Sequence, residues 1–237
     1  MRSPLVFAVF VAVAAFASPA LARAQDTADD QYQFIAGLCE KHHFDLAVGE
    51  ALAFLERFPA HPKAALARYR LASALYELKR TDEARAEYAT LAKQNAFEFA
   101  AEVAFRLGQC ELALQHAPQA AAAFEQVIRM HAAYLALPAT FFLGEARFRQ
   151  GDYAAAEKAY ASVESSDKRE NEYARDAAYG LAWCAFRLGH NDDAIGRIES
   201  FTAPGASPPR NNSMPRCNAA SAACSLWGKR SSNSSNR

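Results

Sequence analysis

The 237-residue sequence predicts an all-α solenoid of about five helix-turn-helix units. Three observations lead there. An alanine following a turn signal recurs as Ala47, Ala84, Ala120, Ala156 and Ala194, at spacings of 37, 36, 36 and 38 residues. Thirteen residues before each stands an apolar residue: Phe34, Leu71, Leu107, Leu143 and Leu181. Four residues after each stand Ala51, Tyr88, Phe124, Tyr160 and Ile198. Unrelated amphipathic helices have no reason to share such offsets, whereas a fixed internal period of this size marks a repeat array.

Residues 1–24 read as a signal peptide. Arg2 supplies a positive start, Leu5 to Ala17 is an apolar run of 13 residues, and Ala22-Arg23-Ala24 has the small-x-small form of a cleavage site. The run is shorter than the roughly 20 residues a spanning helix needs, so no integral membrane segment is expected. The mature chain is expected to begin at Gln25 and to be periplasmic.

Residues 25–201 read as the repeat array. In the first copy "RFPAHP" (Arg57 to Pro62) closes the second helix, because proline cannot continue it. The second copy turns at Lys79-Arg80-Thr81-Asp82. The fourth turns at Gly151-Asp152, and the fifth at Gly189-His190-Asn191-Asp192. A glycine or polar residue there ends one helix and caps the next. The residue after the apolar marker is small in four copies, as Ala72, Gly108, Gly144 and Ala182. A small residue at that place lets the second helix approach closely, its alanine at the crossing and the Tyr or Phe one turn later filling the groove beside it.

Residues 202–237 change character. They are rich in Ser and Asn, contain no acid and have no helical apolar period. They read as a low-complexity, disordered tail, or as out-of-frame or truncated sequence. The last second helix, expected over Asp192 to Phe201, has no amphipathic helix after it to cover its face.

Charge and motifs narrow the function. All 26 acidic residues fall between Asp26 and Glu199, while seven of the 26 basic residues lie outside that stretch. The acidic body argues against nucleic acid, which needs clustered Lys and Arg. The histidines form no HExxH pattern and no i,i+4 metal pair. No phosphate-binding glycine loop or nucleophile elbow is present. Asp29-Asp30, Asp82-Glu83 and Asp192-Asp193 are expected at helix starts, where carboxylates favour the helix dipole. No catalytic residue, metal site or cofactor is assigned. Cys39, Cys110, Cys184, Cys217 and Cys224 show no CxxC spacing, and mid-helix Cys110 and Cys184 read as small buried apolar residues.

Leu143-Gly144, Ala156, Tyr160 and their equivalents resemble the tetratricopeptide repeat (TPR) family over about Asp29 to Phe201, with Pro59 at the family's proline position. The period of 36–38 exceeds the family's usual 34, and the family's Trp at the start of the first helix is missing. The longer period and the stretch Phe54 to Leu78 look like the bacterial envelope branch, similar to the TolA-binding periplasmic protein and to BamD-like repeats. The resemblance implies a right-handed superhelix and a non-catalytic scaffold that binds a protein or peptide partner in the cell envelope, of the Tol-Pal or cell-division type. Its alternatives are a fragment of an outer-membrane assembly protein and an accessory of cell-wall enzymes.

In that family the first helices line the concave face. Fifteen residues before each marker alanine stand Tyr32, Tyr69, Phe105, Phe141 and Tyr179, all aromatic. Eight before stand Cys39, Tyr76, Leu112, Phe148 and Phe186, and Trp183 lies one turn beyond Tyr179. Glu77, Glu102, Glu145, Arg149 and Arg187 flank them. The candidate partner-binding residues are therefore Tyr69, Tyr76, Phe105, Phe141, Phe148, Arg149, Tyr179, Trp183, Phe186 and Arg187. Aromatics with charged rims suit a peptide groove. The same row can equally serve to pack one repeat on the next.

Overall fold

The structure, a computed structural model, describes residues 19–94, 97–166 and 171–202, with side chains from Thr27 onward. The described chain is ten α-helices: α1 Pro19–Glu40, α2 Phe44–Arg57, α3 Ala64–Glu77, α4 Thr81–Leu91, α5 Ala100–Ala113, α6 Ala117–Arg129, α7 Ala133–Gln150, α8 Tyr153–Glu164, α9 Ala174–Leu188 and α10 Asn191–Thr202. Each helix packs on the next in sequence, and the odd-numbered helices also meet across repeats at α1–α3, α5–α7 and α7–α9. This is a solenoid of five hairpins whose first helices line one wall.

Each hairpin turns on one residue in the left-handed region. His42, Lys79, Gln115, Gly151 and Gly189 have φ of 59°, 63°, 64°, 82° and 86°. Each stands five residues before a marker alanine, so the backbone geometry repeats even where glycine is absent. The next residue precedes the second helix, and at Asp152 its side chain accepts the Ala155 N–H at 3.1 Å.

The joints rest on glycines and aromatics. A Cβ on Gly108 would lie 2.7 Å from the Phe124 ring, and one on Gly144 would lie 2.8 Å from the Tyr160 ring. The ring four residues beyond the alanine thus occupies the space the small residue leaves, rather than the groove beside the crossing. Gly180, absent from the expected pattern, would bring a Cβ within 2.7 Å of the other edge of Tyr160. Tyr160 is therefore clamped between α7 and α9. Its hydroxyl donates to Glu145 Oε1 at 2.6 Å, and Glu145 is only 2% exposed. Burial, and then the Glu145 charge, push the Tyr160 pKa well above its ordinary value. In the second repeat Ser73 Oγ plays the same part, 3.1 Å from the Tyr88 hydroxyl.

The ends of the array differ from the sequence expectation. α1 begins at Pro19, ahead of the position 25 at which the array was expected to start. Asp29 accordingly lies inside a helix, not at its start, and pairs with Lys63 at 2.8 Å. The expected signal peptide falls mostly on residues 1–18, outside the described residues, as does the expected tail beyond Thr202. No described helix is long and apolar enough to cross a membrane.

Candidate functional site

The row fifteen residues before each marker alanine turns inward. Tyr32 meets Phe54, Tyr69 meets Tyr88, Phe105 meets Phe124 and Phe141 meets Tyr160, with ring centroids 5.8–6.5 Å apart. Tyr179 meets Phe201 at 5.5 Å in the last repeat. Every contact joins the first helix of a hairpin to its own second helix, at distances typical of edge-to-face aromatic pairs. Phe105 and Phe141 are 8% and 3% exposed and cannot present a face to a partner. Trp183 is likewise buried, at 6%, against Tyr179 and Phe186. These three candidates are core residues, because the wall they were expected to line is closed by their own second helices and neighbouring repeats. Glu145, expected on the rim, is also interior. Tyr69 and Tyr179 keep partial exposure, and Tyr69 stacks on Phe99 at 5.4 Å.

The row eight residues before each alanine behaves differently. Tyr76, Phe148 and Phe186 are partly exposed near the ends of α3, α7 and α9, while Leu112 is buried. Guanidinium groups reach back onto this row from the following repeat. Arg106 of α5 lies 5.3 Å over the Tyr76 ring. Arg149 of α7 donates to the Leu112 carbonyl at 2.6 Å. Arg187 of α9 lies 5.7 Å over Tyr153, whose ring packs 5.2 Å from Phe148. Arg70 of α3 sits near enough to Cys39 for its charge to oppose the burial that raises the thiol's pKa. The structure thus leaves Tyr76, Phe148, Arg149 and Arg187 at least partly exposed and adds Arg106, Arg70 and Tyr153 as neighbours that the sequence did not single out.

Chemistry elsewhere is sparse. Among the described residues, no three His, Cys, Asp or Glu side chains gather as around a metal ion. Cys110 and Cys184 are fully buried, and burial pushes both thiols up to about 12. Neither is a nucleophile near neutral pH.

The model of the tetratricopeptide repeat family matches residues 37–98 and 105–169, more than half of the chain. This chain belongs to the tetratricopeptide repeat family. Among solved structures it resembles YrrB, described as a TPR protein with an unusual peptide-binding site. The two share 15% identity at a TM-score of 0.63, over 76% of this chain and 88% of that one. MamA from Desulfovibrio magneticus RS-1 is 18% identical at a TM-score of 0.61, over 75% of this chain and 92% of that one. A TPR protein from Parabacteroides merdae ATCC 43184 is 14% identical at 0.65, over 88% and 75%. At such identities the likeness is one of fold. No curated protein matches.

Within this TPR array, the arginine run was hard to read because its members do not share one offset. Arg70 and Arg106 stand 14 residues before their alanines, whereas Arg149 and Arg187 stand seven before theirs. Each acts on the preceding repeat, but at different places: Arg70 on Cys39, Arg106 on Tyr76, Arg149 on the Leu112 carbonyl and Arg187 on Tyr153 of the second helix α8.

Proposed function

We propose that this TPR protein is a non-catalytic scaffold of the bacterial periplasm that holds a protein or peptide partner of the cell envelope. The observation behind this reading is the partly exposed run of Tyr76, Phe148 and Tyr153 with guanidinium groups laid over or beside it. Large aromatic faces bordered by arginine supply much contact area at little entropic cost. A peptide site on a similar fold, that of YrrB, agrees with such a use. The periplasmic address rests on residues 1–24, whose charged start, apolar run and Ala22-Arg23-Ala24 fit an export signal. A Tol-Pal or cell-division role rests on the likeness of the repeats to the envelope branch.

Two measurements test this. A photo-crosslinking residue at Tyr76 or Phe148, in the full chain expressed in a Gram-negative host, should trap a discrete partner. The same residue at Ala122, exposed on α6, should not. Equal trapping at all three positions would move the partner surface elsewhere. N-terminal sequencing of the soluble periplasmic protein should start at Gln25. Recovery of only full-length chain in salt-washed membranes would overturn the address.

A further inference from the structure

The first helix of every later repeat is covered by the second helix of the repeat before it. Ala139 and Ala146 of α7 share a core with Phe124 and Val127 of α6. Ala177 and Cys184 of α9 share one with Tyr160 and Val163 of α8. Counted back from the marker alanines, these residues form two columns. Seventeen before stand Ala67, Val103, Ala139 and Ala177, and ten before stand Ala74, Cys110, Ala146 and Cys184, all at most 1% exposed. Thirteen before, Leu71 and Leu181 are buried and Leu107 and Leu143 are half-buried.

Among the described residues no second helix precedes α1, and there the same columns hold Asp30, Phe34 and Gly37. Asp30 is exposed, Phe34 is 56% exposed, and a Cβ on Gly37 would meet nothing within 4 Å. Lys41 prolongs the stripe by one more turn. It is exposed, and its N–H donates to the Gly37 carbonyl at 3.1 Å. Steps of four, three and four residues keep all four positions on one helix face. An apolar second helix docked here, as in the later repeats, would bury the Asp30 carboxylate and leave it unpaired. A second copy of the same face supplies the missing cation.

We propose that two copies of the chain pair through α1, antiparallel, about a two-fold axis midway between Phe34 and Gly37. In a two-fold interface each contact occurs twice, residue i on j and j on i. This axis sets Phe34 against the partner's Gly37, where the missing Cβ leaves room for the ring. It sets Asp30 against the partner's Lys41. Both contacts arise together because the stripe is symmetric: Asp30 stands four residues before Phe34, and Lys41 four after Gly37. A glycine at the contact also lets the two helices approach within the usual separation of about 8–10 Å. The pairing is independent of the scaffold reading, which concerns later repeats.

Size-exclusion chromatography with light scattering, run on a dilution series of the purified protein, tests the pairing. The mass should approach that of two chains at high concentration and fall to one chain on dilution. Gly37→Leu should raise the dissociation constant at least tenfold. It should keep the helical circular dichroism, since the new side chain starts in space its own chain leaves open. Asp30→Lys should weaken the pair as much, because it sets two lysines against each other at both ends of the interface. Asp30→Lys combined with Lys41→Asp should return the dissociation constant to within about threefold of the parent. The two positions lie about 16 Å apart along one helix, so such a rescue acts between chains and not within one. A single-chain mass at every concentration would overturn the proposal. A mass that rises past two chains would replace the two-fold pair with a head-to-tail stack. A dimer indifferent to Gly37→Leu, or one that the charge exchange fails to restore, would put the interface elsewhere on the molecule.

Discussion

Two aromatic rows run along this array at the same period, yet they do different work. The row of Tyr32, Tyr69, Phe105, Phe141 and Tyr179 meets rings of its own second helices. The row that includes Tyr76 and Phe148 lies at helix ends, where Arg106 reaches back over Tyr76 and Arg187 over Tyr153, the ring beside Phe148. A repeat period says that a position recurs, not which side of the wall it faces. Burial decides that: Phe105 and Phe141 are closed off from solvent, whereas Tyr76 and Phe148 stay partly exposed, although Phe148 too meets a ring of its own hairpin, Tyr153.

The largest expected effect falls on the first row. Phe141→Ala should cost about 3–5 kcal/mol of stability, the range for emptying a buried aromatic site. A urea titration followed by circular dichroism measures it, and a loss below 1 kcal/mol would place Phe141 at the surface. Next comes the clamp on Tyr160. Gly144→Leu puts a side chain where even a Cβ would be 2.8 Å from the ring, so a loss of about 3 kcal/mol is expected. An unchanged midpoint would mean that the α7–α8 joint is looser than its geometry. Tyr160→Phe should cost about 2 kcal/mol, because it leaves the buried Glu145 without the phenolic donor. Tyr88→Phe should cost less, since Ser73 is only half-buried and neutral. Equal losses at the two tyrosines would show that Glu145 finds another donor. The smallest effect has the opposite sign. Gln115 holds φ of 64°, a conformation costing about 1 kcal/mol or more for a residue with a Cβ. Gln115→Gly should therefore raise the unfolding free energy measured in urea by close to 1 kcal/mol, whereas Gly151→Ala should lower it by a similar amount.

Much of the fold was legible because packing constraints repeat. Leu143-Gly144, Ala156 and Tyr160 keep their offsets since each must meet the same neighbour in every copy. The left-handed turn residue was legible only at Gly151 and Gly189. His42, Lys79 and Gln115 hide it, being exposed side-chain-bearing residues whose left-handed backbone is held by the turn's own hydrogen bonds. Gly180 escaped notice because it serves the preceding repeat's tyrosine and not its own hairpin. The site was half legible. Arg149 and Arg187 share an offset and could be seen together. Arg106 stands two turns away on its helix and reaches the same row only through its long side chain and the offset of neighbouring helices. Phe105, Phe141 and Trp183 matched the surface pattern by periodicity and went to the core by contact.

The division between the two rows is tested most directly by a paired measurement on Arg149→Gln with Arg187→Gln, beside Trp183→Ala. Each protein is assayed for its urea midpoint and for partner trapping through a photo-crosslinker at Tyr76. The double arginine variant should lose the trapped partner and stay within about 1 kcal/mol of the parent, as exposed cation–aromatic contacts allow. Trp183→Ala should lose about 3 kcal/mol or more of stability. A double arginine variant that melts like Trp183→Ala, or that folds normally and still traps the partner, would contradict the assignment of that row to binding.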